Sequence, residues 1–291
     1  MRQMQRNLKN QLGKISQKLL IVMALIVTAL LALGLLISDK GNSVKQDAPL
    51  NYTTTNTQMP IFSGYAEEAL NSEYDLKDVQ VNVIQPNQTV VTVQPQSTLE
   101  SVTAFDLKLP EKGTYTLHAK TSYPIQYVQH NKQWKIFSDV AADKVPALAE
   151  RDYVIPSDFK GKLPKKIDTV REWSIQSYLS KENTSPVAAT PAPIQVSFNI
   201  HPNQIIAGQP VQLQLSKAGK PLVQAEVLLR KQGATDQQAQ SISVNANGSS
   251  TITFPQAGGY LIEVNEKLNP KAAPKNQYYT IISLGVNNST S

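Results

Sequence analysis

Apolar and polar residues alternate with a period of two along most of the chain, and no long stretch beyond the N-terminus keeps the 3.6-residue repeat of an amphipathic helix. Segments 194–200 (IQVSFNI) and 210–215 (PVQLQL) place apolar side chains on one face and polar ones on the other, as a half-buried strand requires. Segments 225–229, 241–244, 251–254 and 260–264 follow at short intervals, punctuated by Gly219-Lys220-Pro221, Asn247-Gly248 and Gly258-Gly259 as turns. Upstream, 79–84, 89–93, 104–109, 114–119 and 134–137 behave the same way. Short, regularly spaced strands predict a sandwich or a barrel. Two stretches, 65–70 and 140–149, read as single helical excursions.

The two halves also match each other. Residues 109–117 (LPEKGTYTL) align without gaps on 254–262 (FPQAGGYLI), at an offset of 145 positions. The pattern has the physical sense of a corner between strands. Pro110 or Pro255 ends one strand, and Gly113 or Gly258 supplies a positive φ. Tyr115 or Tyr260 then starts the next strand with its ring inward and its hydroxyl free to cap nearby backbone. Immunoglobulin-like sandwiches use a tyrosine corner of this kind. The fold predicted is therefore all-β, with two tandem immunoglobulin-like β-sandwich domains after an N-terminal transmembrane helix.

That helix is read from 19–37 (LLIVMALIVTALLALGLLI), which is uncharged and, at 1.5 Å per residue, reaches roughly the 30 Å of a bilayer core. A cleaved signal peptide has a shorter apolar region and a small-x-small cleavage site, for which Ala32-Leu33-Gly34 is the candidate here. Uncleaved, the segment is an anchor; cleaved, it leaves a soluble periplasmic protein. The segmentation expected is a basic cytoplasmic tail (1–18), the membrane segment (19–37), a polar stalk (38–58), a first sandwich (59–182), a linker (183–193), a second sandwich (194–286) and a tail (287–291). The linker is drawn from ENTSPVAATPAP at 182–193, where three prolines fall among small residues.

Charge changes meaning once it is divided along the chain. Of the formal net charge of +6, Arg2, Arg6, Lys9, Lys14 and Lys18 supply five, and no acidic residue precedes Asp39. The remainder is nearly neutral and lacks the basic surface that binding to a phosphate backbone requires, so no nucleic-acid partner is expected. Positive charges ahead of an apolar span keep the N-terminus in the cytoplasm. The expected location is the bacterial inner membrane, single pass, with the domains in the periplasm. With no cysteine, disulfides, thiolate ligands and a cysteine nucleophile are all excluded.

Chemistry is sparse. No His-Glu-x-x-His, Gly-x-Ser-x-Gly or Gly-x-x-x-x-Gly-Lys pattern is present, so no catalytic residue, no cofactor and no enzymatic activity are expected. The pairs Glu67-Glu68 and Asp106 with Glu111 are read as solvated charges on turns, and the basic run 160–166 as a surface loop. Only three histidines occur, far apart in sequence. His118 lies on a strand where alternation turns Thr116, His118 and Lys120 away from the core; His130 sits in a polar turn; His201 precedes Pro202 at a strand end. They are the weak candidates for a metal site, since first-row metals need three or four converging ligands. Trp134, Trp173, Tyr115 and Tyr260 read as core or corner residues.

Several ordered motifs carry a family resemblance: Gly113-Thr114-Tyr115, Trp134, Val145-Pro146-Ala147, His201-Pro202-Asn203, Ala207-Gly208-Gln209-Pro210, Asn247-Gly248 and the corner at 254–260. Over 59–286 the chain resembles the NikM-like bacterial domain-of-unknown-function family. The resemblance implies an envelope protein with two immunoglobulin-like domains, some of whose relatives are associated with nickel or cobalt uptake through dedicated transporters. Relatives often open with a His-containing, aromatic-rich stretch, whereas 51–59 here holds neither His nor Trp. The function expected is a membrane-anchored periplasmic accessory or binding protein, with the inner membrane and transporter subunits or other envelope proteins as partners. Its link to divalent metal comes from the resemblance alone. The alternative is a structural or adhesion-type interaction module of the cell envelope with no ligand.

Overall fold

The structure, a computed structural model, describes residues 22–24, 52–75, 79–94, 96–151, 153–267, 269 and 272–289. They form β-strands joined by turns and single turns of 3-10 helix, with no α-helix among them. The expected membrane segment at 19–37 lies outside the described residues, apart from Val22–Ala24, a short strand antiparallel to residues 64–66. No helix among the described residues is long and apolar enough to cross a membrane. The expected basic tail at 1–18 and most of the stalk at 38–58 also lie outside them.

Contacts divide the chain into two compact units, one of Ser122–Glu172 with Leu268–Gln277, the other of Ile21–Thr121, Trp173–Lys267 and Tyr278–Ser291. The second is the larger and holds both tyrosine corners. Within it, Gln58–Ala66 pairs antiparallel with Thr103–Lys108, and alternation works as expected. Met59 stands opposite Leu107 and Ile61 opposite Phe105, all four buried. A second sheet brings Val81–Ile84 against the strand Gly113–His130, with Val83 opposite Leu117.

That sheet continues. The strand Ile167–Lys181 borders Gly113–His130 on one side and Gln277–Val286 on the other, and Gly258–Glu266, Ala225–Lys231 and Gln240–Ile242 follow in order. A separate four-stranded sheet holds Ile194–Phe198, Pro210–Lys217, Lys220–Pro221 and Ser249–Thr253. The core of this second sandwich contains Leu213, Leu215, Val227, Ile252, Phe254, Tyr260, Ile262 and Ile282, together with Tyr178 from Ile167–Lys181. The two sandwiches thus share one sheet, and the proline-rich stretch 182–193 lies inside the larger unit. Thr190 and Ala192 in that stretch are buried.

In the smaller unit, residues 126–130 pair with Gln133–Phe137 across Asn131 and Lys132, whose φ values of 51° and 63° are those of a tight type I′ hairpin turn. Tyr153–Val154 adds a parallel strand beside Phe137. Val128, Phe137 and Val154 form its small core, with Phe159 packed against it. Trp134, expected in a core, is only half-buried, and Phe137 takes that place.

Both expected helical excursions are corrected. Tyr65 and Ala66 end the strand Gln58–Ala66, and 67–70 is a bend and turn. The stretch 140–149 yields only the 3-10 turns Ala142–Lys144 and Leu148–Glu150. A few residues without a buried stripe cannot support an α-helix, because nucleation is costly and neither turn has a buried residue.

Candidate functional site

A cluster of polar side chains in the larger unit is centred on Thr114, the residue between the glycine and the tyrosine of the first corner. Its backbone N–H donates to Ser185 Oγ at 2.8 Å, and its hydroxyl Oγ1 accepts from Ser185 N–H at 3.0 Å. The same hydroxyl lies 3.0 Å from His201 Nε2 and 2.9 Å from Ser180 Oγ, which in turn accepts from Asn203 Nδ2 at 2.9 Å. Thr114, Ser180 and Asn203 are buried. Asn203 N–H donates to His201 Nδ1 at 3.1 Å, so that nitrogen carries no proton and Nε2 is the donor toward Thr114. Every polar atom in the chain of bonds has a partner, the condition under which a buried polar network rigidifies a fold. Burial holds the His201 pKa below the usual imidazole value, partly offset by a backbone hydrogen bond at Ser185.

His201 also lines one end of a cleft of about 480 Å³, a size ordinary for a ligand site. One wall is the consecutive run 195–202, another is 186–190, and Gln176 and Tyr178 line it from the shared sheet. No Asp, Glu, Lys or Arg lines it. Tyr178 donates its hydroxyl to Gln176 Oε1 at 3.2 Å, and complete burial pushes the phenol pKa far up, so it stays neutral. Gln195 Nε2 donates to the carbonyls of Thr190 at 2.9 Å and Ala192 at 2.5 Å, which pins the proline-rich wall to the strand. The cleft offers neutral hydrogen-bonding groups among apolar ones and holds no charged acid–base pair.

The three histidines have separate surroundings. His118 is corrected in orientation: alternation turns it away from Leu117, yet that face is covered too, and His118 is only 3% exposed, with Nε2 2.9 Å from Ser174 Oγ. Thr116 is likewise buried, and Lys120 alone of the three is exposed. His130, in the smaller unit, packs edge-on against Phe159 with ring centroids 5.3 Å apart. Among the described residues no group of three or more histidines and carboxylates is placed to hold a metal ion. Glu68 accepts from Asn71, and Glu111 from Asn87, each at the surface. In the basic run, Lys166 lies 4.0 Å from the centre of the Phe137 ring.

Two features escaped the sequence reading. One is the network, because isolated serines and threonines in a β-rich chain carry no spacing signal. The other is Arg230, one position past the predicted strand 225–229, where a lone arginine carries no signal of burial. It is 2% exposed, paired with Asp236 and 3.6 Å from Glu263. Burial raises the Asp236 pKa, Arg230 opposes the shift, and nearby Glu67 adds to it.

The architecture defines the class: an all-β protein of fused, tyrosine-cornered sandwiches with a neutral cleft. The chain belongs to the family described as a domain of unknown function, DUF4198, whose model matches residues 36–267. No curated protein matches. Among solved structures, the FN1–FN3 domains of chicken CNTN1 share 11% identity, with 82% of this chain and 62% of that chain covered and a TM-score of 0.24. Two fibronectin type-III domains of chicken tenascin share 8% identity, with 80% and 95% covered and a TM-score of 0.22. This chain therefore spans about three fifths (62%) of the CNTN1 chain.

Proposed function

We propose that this protein is a non-enzymatic accessory module of the bacterial cell envelope, held at the inner membrane by 19–37 and presenting its sandwiches in the periplasm to a protein partner. The observation that supports it best is the shared sheet. With the Thr114 network bracing 180–203, the two sandwiches share a continuous sheet, which suits them to displaying a binding surface. The uncharged run 19–37 behind five positive charges supports the topology.

Two measurements test this. Protease added to spheroplasts should digest residues 50–291, and their protection would overturn the topology. Photo-crosslinking side chains at the exposed positions Val90, Val187 and Val223 should capture an envelope protein in intact cells; no adduct from any of the three would overturn the accessory role. A link to nickel or cobalt uptake is supported by the resemblance alone. Calorimetry with Ni²⁺ and Co²⁺ on the tag-free protein tests it, and binding weaker than millimolar removes it.

A further inference from the structure

The strand Ile194–Phe198 is an edge. It pairs with Pro210–Lys217 on one side only. Asn199 N–H donates to the carbonyl of Gln212 at 3.0 Å, which fixes the phase of the antiparallel ladder. Residues 195, 197 and 199 form the hydrogen-bonded pairs, and the main-chain groups of Val196 and Phe198 point the other way. Among the described residues none bonds to those groups. Their side chains pack against the second core, and both residues line the cleft. A wall made of every residue from 195 to 200, rather than every second one, is what a strand presents along its edge.

The opposite wall adds a second, independent observation. Gln176 is 4% exposed and lines the cleft, and its Oε1 accepts from the Tyr178 hydroxyl, which leaves its amide N–H groups as what it can offer a ligand. The cleft thus combines an amide side chain with an edge strand in a lining that holds no charged residue.

We propose that the cleft is a β-augmentation site, in which an uncharged extended peptide segment of a partner protein adds a strand beside residues 196–198, beyond Ile194, whose carbonyl already accepts from Thr280 Oγ1 at 2.7 Å. Its main chain pairs with Val196 and Phe198, and one carbonyl or side-chain oxygen takes the Gln176 amide. The neutral lining selects the ligand: a lysine or glutamate pointing into this cleft loses water and finds no counter-charge. The reading rests on the accessory role proposed above and names the chemistry of its partner.

The test uses the full-length protein in detergent and an N-acetylated, C-amidated heptapeptide of alternating valine and threonine. Amide hydrogen exchange across 194–198 should slow by about tenfold on saturation, while Ala225–Lys231, in the other sheet, is unchanged. The same peptide N-methylated at alternate amides should give no protection, and a version with glutamate for threonine should bind about tenfold more weakly. Val196→Pro removes one outward N–H and should abolish protection. Because proline can disturb the strand, Gln176→Leu in a Tyr178→Phe background, where no buried hydroxyl loses its acceptor, serves as the second variant and should weaken the peptide relative to Tyr178→Phe alone. No protection by the uncharged peptide overturns the proposal, as does equal protection by the N-methylated one. Protection that instead rises with protein concentration in the absence of peptide assigns the edge to a second copy and also overturns it. If crosslinks to an envelope protein persist while the peptide fails, this inference falls and the accessory role stands; if both fail, both fall.

Discussion

The hydroxyl of Tyr115 donates to the carbonyl of Glu111 at 2.8 Å and accepts the N–H of the same residue at 2.8 Å. In the second sandwich Tyr260 donates to the carbonyl of Gln256 at 2.9 Å. Both rings are buried, and each corner turns through a glycine in the positive-φ region, Gly113 at 123° and Gly258 at 134°. The aligned residues Leu109 and Phe254 are fully buried, and Phe254 meets Tyr260 edge-on at 5.0 Å.

Removing either hydroxyl leaves the ring in place and orphans a backbone carbonyl. Tyr115→Phe and Tyr260→Phe should each cost about 1 kcal/mol, read as a lower urea midpoint at constant slope. Equal midpoints for wild type and both variants would show that the corners do not contribute through these bonds.

The corners were legible because a proline, a positive-φ glycine and a tyrosine each answer a local backbone demand that no other residue meets as well. The strands of the second sandwich were legible from alternation. Alternation failed at His118, where it implied a solvated face opposite the core. Ser174, Gln176, Ser177 and Ser180 are buried all the same. Small hydroxyls and amides can be buried at little cost once hydrogen-bonded, so a polar face in sequence need not be a wet one. For the same reason the sharing of one sheet by two sandwiches left no mark in the periodicity, and the proline-rich stretch read as a linker although Gln195 and Ser185 bind it to its neighbours.

Acid should loosen the Thr114 network through His201. The folded-state pKa is held below the unfolded value of about 6.5, so between the two the unfolded chain binds more protons. The contribution of this group is therefore fully present above that value and declines as pH falls toward the folded pKa. Protonation also places an N–H on Nδ1 facing the N–H of Asn203. The urea midpoint of wild type should fall between pH 7 and pH 5 more steeply than that of His201→Gln; parallel slopes would dismiss His201 as the source.

In the smaller unit, Arg151 grips Asp158 with Nη2 at 2.6 and 2.8 Å from its two oxygens, and Ile155 N–H donates to the same carboxylate at 2.7 Å. Burial alone would raise the Asp158 pKa, but the bonds from Arg151 and Ile155 prevail and lower it. A depressed carboxylate stabilises the fold above its unfolded value of about 3.9 and loses that contribution as pH falls through the folded pKa. Asp158→Asn should therefore cost about 3 kcal/mol of local stability at pH 7, with wild type and variant converging in strong acid. Hydrogen exchange of Tyr153–Val154 would report it, and a gap between the two proteins that persists unchanged below pH 2 would contradict the assignment.

Arg230 should be the most sensitive charged position in the larger unit. Its guanidinium is buried between Asp236 and Glu263, and truncation would strand Glu263, itself 4% exposed, without that cation. Breaking a buried pair from one side costs about 3–5 kcal/mol, because the remaining charge keeps its desolvation penalty. Arg230→Ala should therefore yield a chain that unfolds or is proteolysed at ordinary growth temperature. Arg230→Met with Glu263→Leu, which removes the guanidinium and the more deeply buried of its two carboxylates and keeps apolar volume, should recover most of the loss. Recovery by the double variant separates the stranded charge from simple loss of side-chain volume, and a double variant no more stable than Arg230→Ala would refute the electrostatic account.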